Sequence, residues 1–482
     1  MHTALIALLL AWLGLALADT DAGPDQPAVT LKDVPASAIS SGVLNKTVVF
    51  GYTYETGVGV NQIAWNTLTH LVIAFFDTDS AGNIVTKSDS IPTLVAAARK
   101  TGVRVLASVG GDGGGSQSLA MALSTAKSRT NLAASLAGVV KSYGLDGVDY
   151  DFEFPGNMDQ LGYLHDGLSM MRATLDATFG KGARLLTTTL YSTNGLFGPQ
   201  LQAVDAKPFS DLVDYGLLMS YDYFGGFSKV SGPNAPFNDI PGFKGLSFTS
   251  SIASWVSAGW SPAKLVAGLP YYGRSTLVSV SQTPKDQFMP SSGNGAPGPV
   301  SNIPGAWTWY DLRDPKRGAL ASPTVARSGW QRFWDSTTMT PWLLNNVTQT
   351  YIGYDDPLSL TTKTNYVLTS GLAGAMVWMA QYDYNGELGA VLNSFRTTAS
   401  NLAQEALDEE ESSSAESESS DESSSESSGS GDASGSSHAS HGASESSLHG
   451  VDSDSSGNNI LPAPLSGLLL PALAAAVLAA LG

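Results

Sequence analysis

Leu145-Asp146-Gly147-Val148-Asp149-Tyr150-Asp151-Phe152-Glu153-Phe154 alternates strictly from Val148 onward between apolar and acidic residues. An extended chain has period two. Asp149, Asp151 and Glu153 therefore share one face, and Val148, Tyr150, Phe152 and Phe154 the other. In an open sheet with one wet side the acids would point to water. In a closed barrel the outer face is covered by helices and must be apolar, so the acids point inward. Alternate carboxylates along a strand are about 6.6 Å apart. At an effective dielectric near 20, each adjacent charged pair repels by about 2.5 kcal/mol. One or more of the three is then expected to keep a proton near neutral pH. A protonated carboxyl inside a cleft is what general-acid catalysis requires. A calcium loop of the D-x-D-x-D-G kind would need a glycine and further oxygen ligands that the run lacks.

The flanking sequence supports the barrel. Short apolar runs predict strands at Val48–Tyr52, Leu71–Phe76, Val103–Val109, Gly147–Glu153, Leu185–Leu190, Val213–Tyr221, Leu265–Pro270 and Ala373–Trp378. Helical periodicity falls between them, as at Ile91–Lys100, Thr130–Ser142 and Asp159–Phe179. Eight strands with interposed helices imply an α/β fold of the (β/α)8, or TIM-barrel, type over residues 45–400, with catalytic groups at the C-terminal strand ends. The stretch from about residue 275 to 350 is too long for a loop. It contains Trp307, Trp309, Trp330, Trp334 and Trp342 and reads as a small insertion after strand seven.

Composition narrows the function. Of the net charge of −18, 14 negative charges lie between Glu405 and Asp454, which has no Lys or Arg, so the rest carries only −4. Such a body does not suit nucleic-acid binding, which needs clustered cations. With no cysteine, a disulfide scaffold, a thiolate nucleophile and a thiolate-bound metal are excluded. The run Gly110-Gly111-Asp112-Gly113-Gly114-Gly115 lacks the G-x-G-x-x-G spacing of a nucleotide loop.

Both ends read as targeting segments. Ala4–Ala16 is apolar and leads to Ala16-Leu17-Ala18, so residues 1–18 are expected to be a signal peptide, followed by a linker over 19–44. Residues 401–456 are dominated by Ser, Glu, Asp and Gly and are expected to form a disordered acidic stalk. Residues 457–482 end in an uncharged apolar stretch. After the small residues Ser455 and Ser456, this is the pattern of a GPI-attachment signal. Asn45-Lys46-Thr47 and Asn346-Val347-Thr348 are N-glycosylation sequons. The expectation is an extracellular protein held at the plasma membrane or passed to the cell wall.

Asp146-Gly147-Val148-Asp149-Tyr150-Asp151-Phe152-Glu153 resembles the D-G-x-D-x-D-x-E signature of family 18 glycoside hydrolases, the chitinases. Ser108-Val109-Gly110-Gly111 resembles the S-x-G-G of strand three. Met219-Ser220-Tyr221-Asp222 resembles the M-x-Y-D of strand six, and Tyr272-Gly273-Arg274 the Y-G-R after strand seven. Trp378 resembles the strand-eight tryptophan. The resemblance covers residues 45–397 or so. It departs from many relatives in having Phe154 in place of Tyr, and no Trp after Gly110-Gly111.

The resemblance implies a substrate-assisted retaining hydrolysis of bonds between N-acetylglucosamine units, with no cofactor and no metal. Glu153 is the implied acid. Asp151 orients the acetamido N–H, and Asp149 shares a proton with Asp151. Tyr221 and Asp222 hold the acetamido group, and Trp378 stacks under the sugar. Tyr272, Arg274, Met219, Ser108 and Tyr52 complete the implied substrate-binding set. The expected partners are chitin or its oligomers and a GPI lipid, and a monomer is expected. Two other readings use the same features: an endo-β-N-acetylglucosaminidase acting on N-glycans, and an inactive chitin-binding lectin. A wall protein, suggested by the tail alone, leaves the acidic strand unexplained.

Overall fold

The computed structural model describes residues 26–422, apart from 58, 193–197, 199–200, 202–203 and 281–283; the side chains of 414–422 are also outside it. The expected signal peptide, most of the stalk, Ser455, Ser456 and the 457–482 segment lie outside the described residues.

Eight parallel strands close into a barrel: β1 (Val48–Tyr54), β2 (His70–Phe76), β3 (Arg104–Gly110), β4 (Gly147–Asp151), β5 (Leu185–Leu190), β6 (Tyr215–Leu218), β7 (Leu265–Pro270) and β8 (Gly374–Trp378). Each strand pairs with its neighbour in sequence, and β8 returns to β1, with Val48 opposite Gly374. The alternation within strands divides the core in two. Val148, Tyr150 and Phe152 face the helices with Leu132, Leu136 and Leu168. Phe50, Val72, Leu106, Val266 and Met376 fill the lumen. The helices carry local start and stop signals. Asn157 caps Met158–Phe179 by accepting the Gln160 N–H, and Gly144 ends Ala126–Tyr143 in the left-handed region at φ 66°.

Three expectations need correction. β4 ends at Asp151 rather than Glu153, because its neighbours run out: the β3 ladder stops at Gly110 opposite Asp151, and the β5 ladder at Thr188 opposite Tyr150. The 19–44 linker is packed from residue 31, where Leu31, Val34, Ala38, Val43 and Leu44 join the outer core. At the other end, the helix Glu387–Glu422 runs past residue 401 into the expected stalk. Its apolar face persists through the buried Leu402, Ala403 and Ala406, and Ala and Glu favour helix beyond. Among the described residues, those up to 406 belong to one compact unit and 407–422, which are helical, to a second.

The insertion after β7 is a separate antiparallel sheet built from Tyr272–Val278, Ser291–Asn294, Ala306–Thr308, Gln331–Asp335, Thr340–Asn345 and Thr350–Gly353. Trp342, Tyr351, Leu344 and Val278 form its own small core. It starts at Tyr272, three residues before the expected start near 275, so Tyr272-Gly273-Arg274 opens the insertion sheet. Among the described residues no helix is long and apolar enough to cross a membrane.

Candidate active site

The barrel register gathers hydroxyl groups around the inward acids. Residues paired across parallel strands point to the same face, and Asp149 lies opposite Ser108 on β3 and Thr187 on β5. Ser108 donates to Asp149 Oδ2 at 2.7 Å, and Thr187 to Oδ1 at 2.6 Å. Tyr52 reaches across the lumen and donates to Oδ2 at 2.8 Å. Asp151 accepts one such bond, from Thr189 Oγ1 at 2.6 Å. Both carboxylates are buried, and burial raises both. The three hydroxyl donors oppose the shift at Asp149. At Asp151, burial and then the charge of Asp149 push the pKa to about 8. The proton of this pair therefore belongs on Asp151 and the charge on Asp149.

Glu153 lies just past the end of β4. Its N–H donates to Ser116 Oγ at 2.6 Å, and Ser116 Oγ also donates to the Asp151 carbonyl at 3.3 Å. A side chain from the helix Gly114–Leu123 thus continues the hydrogen bonding where the neighbouring strand stops. The Glu153 carboxyl makes no hydrogen bond or ion pair among the described residues. Its pKa is raised well above the usual carboxylate range, first by burial, then by the charges of Asp151, Asp112 and Asp222. It meets the requirement for a group that is protonated near neutral pH and open to a ligand.

Across the cleft, Asp222 follows β6 with a left-handed backbone, φ 63°. Its N–H is held by Asn234 Oδ1 at 3.1 Å. Tyr272 donates to its Oδ1 at 2.6 Å, Arg274 Nε donates to the same atom at 2.6 Å, and Arg274 Nη2 pairs with Oδ2. The guanidinium also lies over the Tyr272 ring. Tyr221 is buried, and its hydroxyl has the Met376 sulfur as a partner at 3.8 Å, a weak acceptor that a ligand carbonyl could replace. Trp378 closes the floor at the end of β8. Its half-exposed ring stacks on Phe75, with centroids 5.9 Å apart, and Tyr52 packs beside it at 5.3 Å.

The structure thus brings Glu153, Asp151, Asp149, Tyr221, Asp222, Tyr272, Arg274 and Trp378 to one end of the barrel. Met219 is half-buried against the lumen cluster. Tyr52 and Ser108, expected as substrate contacts, are buried and spend their hydroxyls on Asp149. Phe154 packs on Tyr191 with ring centroids 4.5 Å apart. The sequence reading missed Thr187 and Thr189, although their alternation in β5 was a visible signal. It also missed Ser116, Asp112 and the half-exposed Phe227, whose ring lies 6.0 Å from the Arg274 guanidinium.

The family described as Glycosyl hydrolases family 18 matches residues 47–383. The class V chitinase of Arabidopsis thaliana is 29% identical over 339 residues, covering 68% of this chain and 84% of that protein. Chitinase A1 of Niallia circulans is 28% identical over 281 residues, 55% of this chain; the chain spans only 38% of that protein's length. The crystal structure of the Ostrinia furnacalis Group IV chitinase in complex with allosamidin matches at 25% identity and a TM-score of 0.64, covering 74% of this chain and 99% of that one.

Proposed function

Because the chain belongs to glycosyl hydrolase family 18, we propose that it is a chitinase, cleaving β-1,4 bonds between N-acetylglucosamine units with Glu153 as general acid and base. The observation that carries this reading is the Glu153 carboxyl: protonated by its surroundings, without a protein partner among the described residues, and next to a buried acid pair.

The sugar to be cleaved rests on Trp378, with its acetamido group toward Tyr221. Glu153 gives its proton to the glycosidic oxygen as the bond to C1 breaks. The substrate's own acetamido oxygen closes onto C1 from the opposite side, so no enzyme nucleophile is needed and the usual carboxylate-spacing rule does not apply. The oxazolinium formed carries positive charge, which the Asp149 anion offsets, while a carboxyl oxygen of Asp151 accepts the acetamido N–H. Glu153, now a carboxylate, takes a proton from the water that opens the ring, and the configuration at C1 is retained. Arg274 and Tyr272 keep Asp222 in place, and the Phe227 ring offers a flat apolar face to a neighbouring sugar.

The test is release of a chromogen from an N-acetylglucosamine oligomer by the wild type and by Glu153→Gln. Equal rates would remove the mechanism. Oligomer binding without cleavage by the wild type favours the lectin reading, and faster cleavage of a high-mannose glycopeptide favours the N-glycan enzyme.

The proposed setting is the cell surface, in remodelling or degradation of wall chitin, with a signal peptide at residues 1–18 and a GPI anchor at Ser455 or Ser456. The sequons support it in position. Asn346 lies at an exposed hairpin turn beside Val347, 91% exposed, and Asn45 is exposed in a short helical turn. Phosphatidylinositol-specific phospholipase should release the enzyme from intact cells. Retention of a form truncated after Asn459 would refute the anchor.

A further inference from the structure

The loop between β3 and the helix Gly114–Leu123 is glycine at every position from 110 to 115 except Asp112. Three of these glycines, Gly110, Gly111 and Gly115, are there because the backbone presses onto the site. A Cβ at Gly110 would collide with the Asp151 carbonyl, one at Gly111 with the Phe75 ring, and one at Gly115 with the Gly110 carbonyl. Gly110 and Gly111 also need positive φ, 111° and 86°. The Gly111 N–H donates to the Asp151 carbonyl at 2.8 Å. Phe75 in turn stacks on Trp378. The backbone of this loop is therefore held between the sugar platform and the end of β4, and Asp112 is its single side chain. It is exposed and makes no hydrogen bond or ion pair among the described residues. Its charge reaches Glu153 and Asp151 and raises both.

We propose, on the chitinase reading above, that Asp112 makes the leaving-group side of the cleft selective for an N-deacetylated, positively charged glucosamine unit, so that the preferred polymer is partly deacetylated chitin. The chemistry limits the preference to that side. The sugar cleaved at C1 must keep its acetamido group, because that group is the nucleophile. The next sugar lies by the acid that protonates its oxygen, and the loop that carries Asp112 is hydrogen-bonded there, through the Gly111 N–H, to the end of β4 two residues before Glu153. An ammonium group beside an exposed carboxylate gains a modest attraction that salt screens. A neutral acetamido group gains none of it. Arg274, a cationic side chain of the cleft, is already bound to Asp222 and does not compensate Asp112.

The experiment compares two oligomers of equal length. One is fully acetylated; the other carries a single glucosamine immediately on the leaving-group side of the cleaved bond. The ratio of kcat/KM values is measured at low and high salt, in mildly acidic buffer, for the wild type, Asp112→Asn and Asp112→Glu. The expected ratio favours the glucosamine oligomer by about five-fold in the wild type at low salt. It should fall to unity in Asp112→Asn and at high salt, and survive in Asp112→Glu. Equal rates on both oligomers in the wild type would overturn the proposal and leave the chitinase reading intact. So would Asp112→Asn slowing both equally, or lowering the melting temperature with the ratio unchanged, since either result would confine Asp112 to tuning Glu153 or to supporting the adjacent helix N-terminus. Cleavage of neither oligomer by the wild type would overturn both readings.

Discussion

Asp149 and Asp151 stand two residues apart on one strand, and the hydroxyls around them make them different groups. Three donors keep Asp149 an anion, while Asp151 has one and is pushed to about 8. The folded protein therefore favours neutral Asp151, whereas the unfolded chain ionises it near 3.8. Stability from this group is fully present below pH 3.8 and is lost as pH rises through about 8. Asp151→Asn, neutral at every pH, should melt higher than the wild type above pH 8, with the gap closing toward pH 4; calorimetry across that range checks it. For Glu153→Gln the expected loss in kcat is about 10²–10⁴-fold with oligomer affinity preserved, read by single-turnover kinetics and by calorimetric binding. The wild-type rate should fall on the alkaline side as Glu153 loses its proton. Burial, and then the facing Asp151, Asp112 and Asp222, raise that limit above an ordinary glutamate's. Asp112→Asn should draw the limit down in a pH–rate profile.

At the scale of elements, the active end is assembled where regular structure stops. β4 ends at Asp151, and Ser116 from the next helix in space takes over by binding the Glu153 N–H. Ser116→Ala should leave that N–H without its partner and loosen the acid. We expect kcat to fall about ten-fold with KM little changed; a lower melting temperature with kcat unchanged would mean the serine supports the fold rather than the acid. The eight strands were legible in the sequence as short apolar runs, because a barrel strand is buried on both faces; β5 and β7 match residue for residue, whereas β6, expected over Val213–Tyr221, is only Tyr215–Leu218. The end of β4 was not legible. Alternation continues through Phe154, but a strand ends where its partners end, and the partners' lengths are set by loops remote in sequence. Likewise Thr187 and Thr189 are ordinary strand residues until register sets them opposite Asp149 and beside Asp151.

At the scale of the molecule, the barrel separates stability from chemistry. The end opposite the acids holds His70, stacked on Phe50 with centroids 4.3 Å apart and with Nε2 buried without a partner among the described residues. Burial, and then the charge of Arg104, lowers its pKa from 6.5 to about 3. The fold keeps this ring neutral while the unfolded chain protonates it. Its contribution is therefore present above pH 6.5 and is lost as pH falls through about 3. His70→Leu should reduce the loss of melting temperature over that interval, with catalysis at neutral pH unaffected; parallel curves for the two proteins would show that His70 does not contribute.

The sequence by itself determined the barrel and the inward acids, because period two and like-charge repulsion act between residues that are close along the chain; Glu153 was singled out among them by the resemblance to family 18. Tertiary structure alone decided which acid keeps the proton and what faces the cleft. Asp222 meets Arg274 from 52 residues away, Tyr52 meets Asp149 from 97, and the glycine loop carries Asp112 to the catalytic end. Those contacts depend on strand register, closure of the sheet and the water they exclude, and none of these is a property of a local stretch of sequence.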